Sequence, residues 1–193
     1  MAGRRGGGSA ADGGAARRPV IAVACVGQAP QSALSDLEPA LREAFRCDVV
    51  RAPAVRLPST AYDRRRGQYR STPLLDALAA VKRADWERLL GVVDVDLYVP
   101  ELSFVFGEAD RRRGVAVFSL ARLGGGRDAA GQPLFARRAA TEAIHELGHT
   151  YGLSHCRDTG CVMWFSNTLA ETDRKGTAFC ATHAGALKRA MKR

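Results

Sequence analysis

Hydrophobic positions along the chain fall into short runs that switch between strand and helix periodicity. Pro19–Val26 (PVIAVACV) is an apolar, β-rich run and predicts a first strand. In SDLE, Ser35 and Glu38 have capping-box spacing, and Pro39 falls early enough for a first helical turn. A helix is therefore predicted from Ser35 to about Phe45. CDVVRAP is a second short strand, and Arg51–Arg70, with DRRRGQYR, a basic loop. Thr72 and Pro73 open another helix, which places Leu74, Leu75, Leu78 and Val81 on one face. Trp86, Leu89 and Leu90 predict a further short turn of helix. VVDVDLYV alternates as a strand does, and LSFVFG and GVAVFSL predict two more. A Gly-rich connection over Gly124–Gly131 leads to a helical pattern from about Pro133 through His149. No internal repeat is visible. The succession is that of an α/β protein.

Length and composition narrow the picture. A chain of 193 residues can bury a real core, and one domain is expected over residues 19–193. With 46% hydrophobic and 25% charged residues the composition is that of a globular protein, and no apolar run reaches membrane-spanning length. Part of the net charge of +9 sits in residues 1–18, MAGRRGGGSAADGGAARR. That leader is nearly free of large apolar side chains, so it is expected to be disordered. The apolar stretch behind Arg17 and Arg18 is short and ends in turn residues, which fits a strand better than a secretion signal. Five cysteines, an odd number, argue against a closed disulfide framework and for reduced thiols in the cytoplasm.

Chemistry concentrates in one stretch. AIHELGHTYGLSHC, residues 143–156, holds three of the four histidines. On a helix His145 and His149, four apart, project from one face and can share a metal ion. Glu146 is carried to the flank of that ion, where it can take a proton from a bound water. Ile144, Leu147 and Tyr151 can face the core. Gly152 can end the helix in a left-handed turn, which lets His155 return as a third ligand. Three nitrogens leave a tetrahedral zinc one open position, the mark of a catalytic site. The full pattern H-E-x-x-H-x-x-G-x-x-H is present in register. Cys156, Cys161, Cys180 and His183 form two close pairs, the usual arrangement of a structural zinc. Met163 stands where a zinc protease with the long motif places a methionine turn below the metal. Cys25 and Cys47 read as core.

HELGHTYGLSHC, CVM and FSNTLAETDRKGTAFC, with QYRSTPLL and DLYVPELSFVFGEA upstream, resemble the archaemetzincins, a metzincin-clan family of zinc metallopeptidases. The likeness runs from Val20 to the C-terminus. It implies His145, His149 and His155 on a catalytic zinc, Glu146 as general base, Met163 in the Met-turn, and Cys156, Cys161 and Cys180 on a second zinc. The family pattern ends in cysteine where this chain has His183; imidazole is a competent ligand, so a Cys₃His site is expected. The implied fold is a twisted mixed β-sheet with backing helices and an active-site helix. A small C-terminal subdomain, from about residue 153, closes the cleft from below.

These observations lead to a metallopeptidase with two zinc ions per chain, acting on peptides or proteins through a zinc-bound water and Glu146. Substrate is expected to align along an exposed strand, with VAVFSL the candidate. Arg64–Arg66 and Arg111–Arg113 could favour acidic substrates or simply solvate the surface. The alternative is a non-catalytic zinc-stabilised protein that binds peptides or nucleic acid. Glu146 and the open coordination position argue for the enzyme, with no nucleic acid and no membrane as partner, and with a monomer favoured.

Overall fold

A computed structural model describes residues 18–192. The leader predicted over residues 1–18 lies, Arg18 apart, outside the described residues.

A five-stranded sheet is the frame. β1 (Val20–Val26), β2 (Asp48–Arg51), β5 (Arg88–Val93), β7 (Gly107–Asp110) and β8 (Val115–Ser119) run in the order β2-β1-β5-β8-β7. All neighbours are parallel except β7, which pairs antiparallel with β8 at the edge. A small second sheet joins β3 (Tyr62–Asp63), β4 (Gln68–Arg70) and β6 (Leu97–Tyr98). On one face of the main sheet lie α1 (Gln31–Phe45) and α3 (Phe135–Thr150); on the other lies α2 (Ser71–Val81). Two short helices follow, α4 (Leu169–Arg174) and α5 (Ala181–Ala190). No described helix is long and apolar enough to cross a membrane.

β1 is apolar throughout because both of its faces are covered. Ile21, Val23 and Cys25 pack with Leu34, Leu37, Leu41 and Ile144, while Ala22, Ala24 and Val26 pack with Leu74 and Leu78. The same double burial explains a correction. Leu89 and Leu90, predicted with Trp86 as a helical turn, lie with Val92 and Val93 in the central strand β5. A strand covered on both sides loses the alternation that would distinguish it from a helix.

Other boundaries move for identifiable reasons. α1 begins at Gln31, not Ser35, because its buried stripe begins at Ala33 and Leu34. Ser35 and Glu38 cap nothing; they meet Arg51, whose Nη2 lies 2.5 Å from Ser35 Oγ and whose Nε lies 3.4 Å from Glu38 Oε1. VVDVDLYV is split between β5 and β6, since Asp96 is committed to Arg122 and Gln68. LSFVFG is a loop up to Gly107, where strand β7 begins; it meets the small sheet through a Val105–Leu97 bridge and through Gln68 Nε2, which donates to Ser103 O at 2.9 Å. Val81 is 47% exposed at the end of α2 rather than on its buried face.

Arg138 ties the Gly-rich connection to the rest. Its Nη1 donates to the carbonyls of Leu123, Gly124 and Gly125 at 2.9, 3.0 and 2.5 Å. Its Nε and Nη2 each reach an Asp173 oxygen at 2.7 Å, so the side chain joins α3 to α4. That fork holds the Asp173 carboxyl below its ordinary range. A carboxylate with a depressed folded pKa stabilises above its unfolded value and loses that contribution as pH falls through the folded one. Asp173→Asn should therefore lower unfolding free energy at pH 7 by about 1–2 kcal/mol. Urea unfolding at a series of pH values should show the gap from wild type closing below about pH 4. A gap that stays constant down to the acid transition would show that Asp173 carries no such charge term.

Candidate active site and metal centres

α3 is an unusual core helix, with Arg138, Thr141, Glu142, His145 and Glu146 all buried. Its apolar members Ala143, Ile144 and Leu147 pack with α1 and β8 as the spacing predicts, and Tyr151 joins them. That packing turns the polar stripe of the helix toward a cleft between the 99–106 loop and residues 164–167.

The helix ends sharply. Gly152 has φ of +84°, Leu153 N–H donates to Gly148 O at 3.2 Å, and Gly152 N–H donates to His149 O at 2.9 Å. This pair of bonds is a Schellman motif, and it turns the chain back so that His155 meets the other two histidines. The ring centroids lie 4.6, 5.4 and 4.9 Å apart for the pairs 145–149, 145–155 and 149–155.

Two of the rings have fixed tautomers. His145 Nδ1 lies 2.8 Å from Val162 O, and His149 Nδ1 lies 2.8 Å from Leu153 O. A carbonyl only accepts, so each Nδ1 carries the hydrogen and each Nε2 presents a lone pair. Those two Nε2 atoms are 3.1 Å apart and cannot hydrogen-bond one another. Burial holds all three imidazoles below their ordinary pKa, His149 to about 4, which keeps them neutral. Neutral imidazoles with converging lone pairs are the donor set of a metal site, and one donor atom from each lies within 4.8 Å of the others.

Glu146 stands beside them, buried. Desolvation pushes its carboxyl well above the usual range, with the Glu142 charge adding to the effect and Lys175 opposing it. The side chain packs against the edge strand: a Cβ on Gly107 would lie 2.5 Å from Glu146 Cγ and 2.7 Å from Cδ. Below the histidines, Met163 reaches the bare backbone of α3, where a Cβ on Gly148 would lie 2.5 Å from Met163 Sδ. The cleft itself encloses about 180 Å³. Leu102 and Phe165, each 42% exposed, stand at its mouth, with Phe165 4.8 Å from the His155 ring. A larger cavity of about 660 Å³ lies behind α3, and none of the seven candidate donors lines it.

The second cluster assembles as the spacing suggests. Cys156 Sγ is 3.8 Å from Cys180 Sγ, and His183 Nδ1 is 3.3 Å from Cys180 Sγ and 3.9 Å from Cys161 Sγ. Sulfurs at a tetrahedral zinc sit about 3.8 Å apart. His183 Nε2 lies 3.0 Å from Ser154 O, so Nε2 holds the hydrogen and Nδ1 is left to face the thiols. The backbone and then the ring of His183 bring Cys180 down to about 6, while burial pushes Cys161 up to about 11. Cys25 and Cys47 are buried elsewhere in the core.

Two expectations change. VAVFSL forms β8, which lies between β5 and β7 and offers no free edge; the edge strand above α3 is β7. The arginine runs are partly consumed by structure. Arg66 donates to the carbonyls of Leu102 and Ser103 and covers Tyr98 at 4.1 Å, and Arg113 pairs with Asp76 and Asp110. Gly107 and the Glu142–Lys175 pair were not singled out from the sequence. Glu142 carries a signal that could have found it, since it stands one helical turn before Glu146 on the same face.

Comparison with known proteins agrees with this geometry. Residues 44–189 match the model of peptidase family M54. The archaemetzincin of Methanopyrus kandleri is 44% identical over 144 residues, covering 75% of this chain and 79% of its own. That of Pyrococcus furiosus is 37% identical over 174 residues, covering 84% and 89%. The crystal structure of the Methanopyrus kandleri protein superposes with a TM-score of 0.80 at 39% identity, over 92% of this chain and 97% of that one. The Archaeoglobus fulgidus archaemetzincin, crystallised with malonate, gives 0.74 at 33% identity, over 86% and 99%. With the long histidine motif folded into a converging site and the family matched over most of its length, the chain belongs to the archaemetzincins of peptidase family M54 and is a zinc metallopeptidase.

Proposed function

We propose that His145, His149 and His155 hold the catalytic zinc, and that Glu146 is the general base for hydrolysis of a peptide bond in the cleft. The observation that carries this is the convergence of neutral imidazole lone pairs beside a buried carboxylate that belongs to no ion pair. Zinc bound there supplies Lewis acidity and lowers the pKa of a water to about 7. Glu146 takes the proton of the attacking water and hands it to the departing amine. Burial makes Glu146 a better proton acceptor than a solvated carboxylate, and Gly107 leaves the room its side chain occupies. The main chain of the substrate lies along the free edge of β7, where backbone hydrogen bonds recognise peptide without reading sequence.

We also propose that Cys156, Cys161, Cys180 and His183 hold a second, structural zinc, giving two per chain. The ring orientation fixed by Ser154 supports His183 as the fourth ligand.

Three sets of variants test these roles. Glu146→Gln should keep zinc and fold while peptide hydrolysis falls on the order of 10²–10⁴-fold. His149→Ala should lose the catalytic metal together with activity. Wild-type turnover by Glu146→Gln with zinc in place would exclude it as the base. Gly107→Ala should lower kcat by about 10-fold or more with zinc retained, because the new methyl displaces the general base, and should also lower the melting temperature, because that methyl would lie 2.6 Å from Val117 O; an unchanged kcat would mean the carboxylate has room to move. Elemental analysis should give two zinc ions per chain. His183→Ala should shed one of them and melt at lower temperature, whereas His183→Cys should keep both. Full zinc content and unchanged melting in His183→Ala would remove His183 from the ligand set.

A further inference from the structure

Lys175 follows α4 and has no exposed surface, its side-chain accessibility being 0%. Its Nζ lies 3.1 Å from Glu142 Oε1, itself on a side chain only 2% exposed, and 3.4 Å from Trp164 O. Thr172 Oγ1 lies 3.1 Å from the same Glu142 oxygen, and Ser166 Oγ stands 3.2 Å behind Thr172. Glu142 is thus held from the C-terminal segment by a lysine and a threonine. It nonetheless lines the same cleft as His145, Glu146 and His149.

Stability does not explain the pair. Removing two charges from water costs several kcal/mol each, and apolar replacements of similar volume are often neutral or stabilising. Position does. Glu142 precedes His145 by three residues and Glu146 by four, so all three share one helical face. A carboxylate there without a cation would turn to the nearest positive charge, and carboxylate oxygen is a ready zinc ligand. It would then fill the coordination position that the reaction needs open.

We propose that Lys175 is a positioning residue that holds the Glu142 carboxylate away from the three-histidine site, leaving Glu146 the one carboxylate free to act there. This rests on the assignment of His145, His149 and His155 as the catalytic metal ligands. Lys175 acts through its ion pair with Glu142, its charge also favouring the ionised form of Glu146; it touches neither substrate nor metal.

Cobalt(II) substituted for zinc provides a readout separate from turnover, because its visible spectrum reports the number and type of ligands. The relevant bands are those that His149→Ala removes. In Lys175→Met those bands should change as a carboxylate joins the three nitrogens, and kcat should fall by about 10-fold or more. In Glu142→Gln/Lys175→Met the charge is gone, so the bands should return to the wild-type form and most of the activity with them. A wild-type spectrum in Lys175→Met overturns the proposal, and so does a double variant that stays as inactive as the single one. If Lys175→Met does not fold, the double variant decides: folded with wild-type bands and activity it supports the proposal, folded and inactive it overturns it. A cobalt spectrum that His149→Ala leaves unchanged would instead overturn the metal assignment, and the role of Lys175 with it.

Discussion

The helix α3 and the segment after it answer to one electrostatic requirement, that neutral imidazoles converge at the end of a buried helix with the lone pairs of His145 and His149 facing one another. His145 and His149 each spend Nδ1 on a carbonyl, at Val162 and Leu153. Their other nitrogens then face each other at 3.1 Å, an approach that a shared cation would relieve. The carbonyls that fix the rings come from the segment after the helix. The histidines therefore cannot be oriented until that segment has folded beneath them, and so the Schellman turn at Gly152 and the approach of Met163 to Gly148 are parts of one arrangement.

Beyond the core packing of Val162, Met163 and Leu187, the described C-terminal segment has no sheet to hold it. After α3 the described chain contains no strand of a sheet, only an isolated bridge between Cys156 and Trp164 and two short helices. Its attachments are side chains. Lys175 grips Glu142, Asp173 takes Arg138, and the three thiols and His183 draw residues 156–183 together. A cluster that crosslinks a strandless segment does for it what a sheet does for the rest of the domain.

The site was legible because its signal is local and the fold's is not. Seven donors lie within 39 positions, and helical spacing alone carries His145, Glu146 and His149 to one face. Burial was harder to read. Leu89 and Leu90 at the centre of β5 read as helix because a strand covered on both faces shows no alternation, and α1 starts where its buried stripe does rather than at Ser35. The position of the free edge is not local, because it depends on strand order: β8 is interior since it pairs not only with its neighbour β7 but also with β5, more than 20 residues earlier. Gly107 and Lys175 belong to the same class. Each matters through a residue more than 30 positions away, and no window along the chain contains both partners.

The order of elements along the chain also has a consequence for biosynthesis. All five strands of the main sheet are complete by Ser119, whereas every candidate metal donor lies from His145 onward. A ribosome releases the sheet first, with α1 and α2 but without α3. For that interval the face carrying Ile21, Val23 and Phe118 has α1 but lacks α3, the second helix that covers it and the one that packs on β8. The nascent domain therefore passes through a state with exposed apolar surface, and the last third of the chain, from Phe135, both closes that surface and carries every candidate metal donor. Truncation ahead of Phe135 would leave a sheet with one face half covered rather than a smaller enzyme.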